Sequence, residues 1–335
     1  MTSIHDHNKR FISGLRAALY DCEPSKLSSQ LSSFFAPDCK ILLAYPFDQL
    51  DGPKALYDSA YQPLITAVPD LERRDFIVMA GESNGENWIG CGGYYMGLFE
   101  KPWMDIPATG HMFHMRYHEF FKIVDDQIVE MQALWDIPEV MMMAKAWPLV
   151  PSLGVEWVIP GPATQDGIIP GPYDKEKGDA SIKLVFDMLA LLKKNQEGVE
   201  AMKLDRYWHP KMMWYGPAGI GSMRRISGFR NWHQAPFLKA MPNRNANLTG
   251  DRVVLGDGEY VGFTAWPGMT MTHDGDGWLG IPPMNKEMTM LSLDFWRCEN
   301  GLIRENWVLV DILDVYRQLG VDVFERMREL TQIRL

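Results

Sequence analysis

SLDFWRCENGLIRENWVLVD, residues 292–311, reads as a β-hairpin: an apolar strand, a polar turn at Glu299-Asn300-Gly301, and a second apolar strand ending on an aspartate. The chain carries the same pattern earlier. At 117–136 it runs YHEFFKIVDDQIVEMQALWD, with the turn at Val124-Asp125-Asp126. Superposing the two needs no gap: Asp294 falls on Glu119, Phe295 on Phe120, Arg297 on Lys122, Ile303 on Ile128, Glu305 on Glu130 and Asp311 on Asp136, each 175 positions apart. Trp103 with Trp278, and Ile106-Pro107 with Ile281-Pro282, keep the same offset. An internal duplication accounts for so many anchors in step.

Side chains two apart on a strand share a face. Glu305, Trp307, Leu309 and Asp311 therefore line one side, as Glu130, Gln132, Leu134 and Asp136 do in the first copy. If that side bounds a cavity, desolvation raises the terminal carboxyl toward the range used in general acid/base work. The alternative is a helix cap, since ILDVYRQLG and IPEVMMMAKAW follow directly.

The 335 residues suggest about two domains, and 46% hydrophobic with 23% charged residues suits ordinary globular cores. A net charge of −10 and a pI near 5.3, without any basic run, argue against nucleic-acid or anionic-membrane partners. The cysteines Cys22, Cys39, Cys91 and Cys298 lack CxxC spacing, and the N-terminus lacks an apolar signal segment. No apolar run approaches the roughly 20 residues that span a bilayer. A soluble protein in a reduced, cytoplasmic setting is expected.

In each half, helices precede a strand meander, an α+β order. Residues 8–35 suggest two helices about Pro24, and DGPKALYDSAYQPLITAVPDL suggests another, opened by Asp51 with Pro53 in its first turn. The second half offers helices at VFDMLALLKK, EGVEAMKLDRYW and GFRNWHQAPFLKAM, and strands at KMMWYGP, DRVVLGDGEYVGFTAWPGMT, EMTMLSLDFWRCE and LIRENWVLVD. Between the halves, residues 147–180 hold six prolines and five glycines and read as a linker that packs through Trp157 and Ile169. The expected organisation is a first domain over 1–146, the linker over 147–180, and a second domain over 181–335.

Several constellations are candidates for chemistry. His111, His114 and His118 share a strand, but the last two would stand about 13 Å apart and cannot share an ion; no metal is expected. Arg116 and His118 share a face and, with Asp136, would make an acid, base and anion-holder set; surface or sheet-edge polarity is the plainer reading. Glycines in GCGGYYMG mark a close approach of backbone or ligand near Trp88, Tyr94 and Tyr95. In WYGPAGIGSMRRISGFRNWHQAPF the glycines lack phosphate-loop spacing and read as a tight turn. Trp214, Tyr215, Trp232, His233 and Trp266 would line a pocket able to stack an aromatic ring, with His273 at its mouth. With 12 Trp and 22 Met, the interior suits a flat, polarizable, apolar ligand. Ordinary core is the alternative for any one of these rings.

The run GIPPMNKEMTMLSLDFWRCENGLIRENWVLVDILDVYRQLGVD resembles the C-terminal half of SnoaL-like polyketide cyclases. The likeness rests on Pro282-Pro283, Asp294, Arg297, Gly301, Ile303, Glu305, Trp307, Asp311 and Gln318-Leu319-Gly320. The first half is looser: Ile106-Pro107-Ala108-Thr109-Gly110 keeps the loop, Gln132 replaces the tryptophan, and no Gln-Leu-Gly follows. The resemblance implies two cone-shaped α+β barrels of the nuclear transport factor 2 and ketosteroid isomerase type, each a curved antiparallel sheet closed by helices, forming an internal pseudo-dimer. It also implies an enzyme with no cofactor, whose cavity carboxylate exchanges protons in a desolvated site. Asp136 and Asp311 are the candidates for that acid. His118, Arg116, His233 and Tyr94 are its expected catalytic companions, with Tyr94 or Tyr95 as an oxyanion donor. Tyr95, Trp88, His114, Tyr215, Trp214, Trp266, Trp307, His273 and Asp294 are the expected substrate contacts. The expected reaction is carbon-carbon lysis of a hydroxylated, lignin-derived type of aromatic; aldol closure or isomerisation of a polyketide-like substrate is the alternative, and a ligand carrier or scaffold the non-enzymatic one. A homo-oligomer is expected.

Overall fold

Both repeated stretches form antiparallel hairpins in the computed structural model, which describes residues 3–169, 171–192, 194, 197–246 and 252–332. The turn residues Asp125 and Asp126 take φ of 48° and 57°, and Asn300 and Gly301 take 51° and 74°. Two consecutive left-handed residues match the right-handed twist of the flanking strands, which is why Asp, Asn and Gly stand there. The likeness extends to an irregularity, because each ladder slips register at the same place, after Lys122 in one and after Arg297 in the other. Trp103 and Ile106 exchange two backbone hydrogen bonds, and so do Trp278 and Ile281.

The chain divides into two compact units, one drawn from 1–148, 160–173 and 322–335, the other from 149–159 and 174–321. The proline- and glycine-rich segment is shared between them: Ile168 bridges Val78 in unit 1, and Val155 bridges Ser222 in unit 2.

Unit 1 opens with α1 (Ile4–Asp21) and α2 (Pro24–Phe34), then β1 (Phe35–Leu43) and β2 (Asp48–Asp51). Next come α3 (Gly52–Leu56), a π-helical turn (Tyr57–Tyr61) and α4 (Gln62–Ala67) as one continuous helical run. The strands β3 (Glu72–Ser83), β4 (Glu86–Leu98), β5 (Met112–Val124) and β6 (Gln127–Trp135) follow, then α5 (Ile137–Met143). The sheet order is β2-β1-β6-β5-β4-β3, with β1 parallel to β6 and the other pairs antiparallel.

Unit 2 repeats the plan with α6 (Lys175–Leu192), β7 (Trp208–Tyr215), β8 (Met223–Arg224), α7 (Arg225–Phe229), a π-helical turn (Arg230–Gln234) and α8 (Ala235–Ala240). Its strands continue as β9 (Asn245–Ala246), β10 (Arg252–Asp257), β11 (Tyr260–His273), β12 (Lys286–Glu299) and β13 (Leu302–Val310), before α9 (Ile312–Leu319). The order is β10-β11-β12-β13-β7-β8, β9 pairs with β11, and β7 runs parallel to β13. The helix α10 (Val323–Gln332) returns to unit 1, where Phe324 meets Tyr45.

One expected helix is absent. EGVEAMKLDRYW forms only short 3₁₀ turns at Val199–Met202 and Leu204–Arg206, because Gly198 (φ 100°) and the left-handed Lys203 (φ 45°) interrupt helical geometry. Pro170, Lys193 and Asp251, expected in the linker, a helix and a strand, lie outside the described residues. No helix among the described residues is long and apolar enough to cross a membrane.

Candidate active site

The pleat of β12 and β13 decides which side chains meet the interior of unit 2. Met290, Ser292, Asp294 and Trp296 line a cavity from β12, and Asn306, Val308 and Val310 line it from β13. Both sets are alternate residues, as strand geometry requires. Trp208 and Trp214 of β7, Phe229, His233, Gln234, Phe237, Trp278 and the α6 residues Met188, Leu189 and Leu192 form much of the remaining wall. The cavity volume is ≈ 150 Å³, enough for a small ring system, and it opens to solvent through a mouth.

Among the described residues, three ionisable groups enter this apolar space. Burial pushes the Asp294 carboxyl well above the usual carboxylate range, against a hydrogen bond with Ser292 that works the other way. Asp294 is thereby held protonated where an exposed aspartate would be ionised. His233 stacks on Trp214 with ring centroids 4.4 Å apart and planes 18° apart, and also meets Phe229 and Phe237. Burial, helped by the charge of Arg244, pulls its imidazole down to about 3, so it stays neutral. Arg244 donates from Nη2 to the Leu192 carbonyl at 3.1 Å and lies 5.7 Å from the centre of the Phe237 ring.

The same cavity gathers unmet hydrogen-bonding groups. Trp208 Nε1, Trp296 Nε1, His233 Nδ1, Gln234 Oε1 and Arg244 Nε are buried without a hydrogen-bond partner among the described residues. Each such group costs about 1–3 kcal/mol. Their collection around one apolar space is what a site for a partly polar ligand looks like. Among the described residues, no group of three or more His, Cys, Asp or Glu side chains is placed to hold a metal ion.

Unit 1 fills the corresponding space. Glu119, in the register position of Asp294, accepts from Tyr95 Oη and Trp135 Nε1, both at 3.0 Å, and pairs with Arg73. Tyr61 and Tyr95 share a hydrogen bond of 2.8 Å, and the Arg73 guanidinium lies 4.2 Å from the centre of the Tyr117 ring. Against the cost of burial, the charges of Asp75 and Glu119 hold Arg73 firmly protonated. The sheet registers show what unit 2 changed. Val310 stands for Trp135, and Met269, which pairs with Met290, stands for Tyr95, which pairs with Met115. At the end of the π turn Gln234 stands for Tyr61, and one place earlier His233 stands for Ala60. Smaller side chains empty the interior, and an imidazole is added to its wall.

Of the residues expected from sequence, the cavity brings together Asp294, His233 and Trp214. Asp311 does not line it: its side chain accepts from the Asp314 backbone N–H at 3.1 Å and caps α9. Glu305 and Trp307 point to the opposite face of the sheet from Asn306 and Val308, and there Tyr215 donates to Glu305 at 3.1 Å. Burial, with the charge of Glu305, pushes the Tyr215 hydroxyl up. Trp232, Trp266 and His273 are also outside the cavity lining, Trp232 being exposed and His273 fully buried.

In unit 1, Asp136 lies 3.4 Å from Arg116, both buried. His114 lies 3.3 Å from Glu139, whose charge, with that of Asp136, raises the imidazole pKa against the effect of burial. His118, Arg116 and His114 occupy the β5 face opposite Glu119, while Tyr95 joins the Glu119 network and Tyr94 meets His114 and Phe76. Trp88 is buried near the hairpin end of β4. The sequence reading missed Arg244, Gln234, Ser292, Asn306 and Trp208. The signal for two of them was present, because Ser292 and Asn306 interrupt apolar alternation on the face that carries Asp294.

The family model for SnoaL-like polyketide cyclases matches the chain twice, over residues 15–142 and 189–319. No curated protein matches it. Among solved structures, one assigned as a SnoaL-like polyketide cyclase from Jannaschia sp. CCS1 is 17% identical, covering 42% of this chain and 94% of its own (TM-score 0.36). AclR from Streptomyces galilaeus, assigned as a hydroxylase, is 17% identical over 43% of this chain and 85% of its own (TM-score 0.36). IdmH from Streptomyces antibioticus, assigned as a polyketide cyclase, is 20% identical over 41% and 96% (TM-score 0.33). With both halves matched and each folded as an α+β unit, the chain belongs to the SnoaL-like polyketide cyclase family and carries that domain in tandem.

Proposed function

We propose that unit 2 is a cofactor-independent acid/base enzyme acting on a flat, largely apolar small molecule, with Asp294 as the residue that exchanges the proton. The observation that carries this reading is a buried carboxyl, held protonated, in a cavity walled by tryptophans. The reaction is carbon-acid chemistry of the aldol type. Asp294 gives its proton to a carbonyl oxygen while the adjacent carbon loses one to His233 Nδ1, leaving an enol. As the enol carbon forms its new bond, the Asp294 carboxylate recovers a proton from the enol oxygen and the second carbonyl oxygen gains the one held by His233. The reverse sequence breaks the same carbon-carbon bond and releases an aldehyde or ketone. In a dry site the carboxylate is a stronger base than in water, which lets one group serve in both directions.

Closure or isomerisation is the direction the family match supports. The finer reading is a lyase acting on a hydroxylated aromatic, and the ring-lined wall supports the aromatic part of it. Unit 1, with its interior occupied by the Glu119 network, serves as a structural companion.

The test is to follow aromatic β-hydroxyketones and the corresponding dicarbonyls by mass spectrometry, using the full chain and its Asp294→Asn variant. Loss of a general acid/base lowers turnover about 10²–10⁴-fold. Turnover in Asp294→Asn within tenfold of the parent refutes the assignment, and so does an equal loss in Glu119→Gln.

A further inference from the structure

Among the described residues that line the unit 2 cavity there is one permanent cation and no ionised carboxylate to match it. Arg244 is, among the described residues, the only Lys or Arg in the lining, and Asp294, the only acid among them, is held neutral by its burial. Half-buried Arg244 forms no salt bridge with any described residue, in a chain of net charge −10 whose buried arginines, Arg73, Arg116 and Arg297, each face a carboxylate. Among the described residues its one hydrogen bond, from Nη2 to the Leu192 carbonyl, orients the guanidinium, and the buried Nε–H has no partner. A buried N–H left without an acceptor is costly, and a guanidinium that still has its Nε–H to give matches the planar, two-oxygen geometry of a carboxylate.

We infer that the ligand of this cavity is an aromatic acid, whose carboxylate is received by Arg244 while its ring lies between the tryptophan walls. The inference rests on the cavity being the substrate site and adds the charge of the substrate to that reading. Arg244 and His233 are close enough for one charge to depress the other's protonation. The carboxylate therefore docks beside the imidazole. A bound anion there also relieves the penalty on His233 and raises its basicity, so binding readies it to take the proton. Decarboxylated or esterified relatives of the same ring system lose both effects.

The experiment titrates the full chain with 2-naphthoate and with methyl 2-naphthoate, reading the quenching of intrinsic tryptophan fluorescence. The acid is expected to bind at least tenfold more tightly than the ester. In Arg244→Gln the acid loses that tenfold while the ester changes less than twofold, and Arg244→Lys recovers part of the preference. Equal affinity of acid and ester for the parent protein overturns the inference without recourse to any variant, and so does a failure of 2-naphthoate to bind. The Asp294→Asn variant separates this from the catalytic proposal. It keeps the acid-over-ester preference whether or not Asp294 is the catalytic acid, whereas its turnover reports on catalysis alone.

Discussion

If Asp294 holds its proton because the cavity is dry, stability must carry the signature of that proton. The sign follows from linkage. The folded-state pKa lies above the unfolded value of 3.8, so below about pH 4 both states are protonated and the group contributes no pH dependence. Above that, the unfolded chain ionises while the folded one does not, and the folded state binds one proton more. Stability then falls by about 1.4 kcal/mol per pH unit until the raised pKa is reached, after which it levels off. Asp294→Asn cannot ionise and escapes the fall. The difference between variant and parent therefore grows in the variant's favour as pH rises through that window. For a unit of this size the growth amounts to roughly 3–6 °C of Tm per pH unit. Urea titrations and thermal scans of both proteins in matched buffers of constant ionic strength measure it directly, because every other titrating group cancels in the difference. A difference that stays flat across the window refutes the argument, since it would mean that Asp294 ionises in the folded protein much as it does in the unfolded chain.

Asp311→Ala removes the side-chain acceptor of the Asp314 N–H and is expected to cost about 1 kcal/mol in urea denaturation, with Asp311→Asn nearly neutral because Asn caps as well, and both retaining turnover; loss of turnover in Asp311→Asn would restore that residue as a catalytic candidate. Glu119→Gln leaves Arg73 short of one buried partner and should destabilise unit 1 by about 3–5 kcal/mol, while naphthoate affinity, measured by fluorescence quenching, stays unchanged. The folded-state pKa of His114 is raised by its carboxylate neighbours, so its stabilising contribution is complete below the unfolded value of 6.5 and disappears as pH rises through the folded value. The stability gap between the parent and His114→Gln should accordingly close as pH increases, and a gap that widens instead contradicts the ion pair.

Period and spacing alone determined a good deal. The duplication, the two hairpins, the α+β order and the family resemblance all follow from local pattern, because turn residues and strand alternation act over a few positions and a repeat preserves their spacing. Which aspartate meets the cavity was a different kind of question. Asp311 and Glu305 share a face with Trp307 and Leu309, and that face is as apolar as the one carrying Asn306, Val308 and Val310. With both sides of β13 buried, alternation does not say which side is hollow. Only the packing of α6 and the π turn of unit 2 against the even-numbered face decides it. The fate of the two copies was settled in the same way. Glu119 and Asp294 occupy equivalent places, yet one is enclosed by Arg73, Tyr95 and Trp135 and the other faces open space. Those neighbours come from strands and turns far apart in the chain, and the proton affinity of a carboxyl depends on everything that surrounds it in three dimensions.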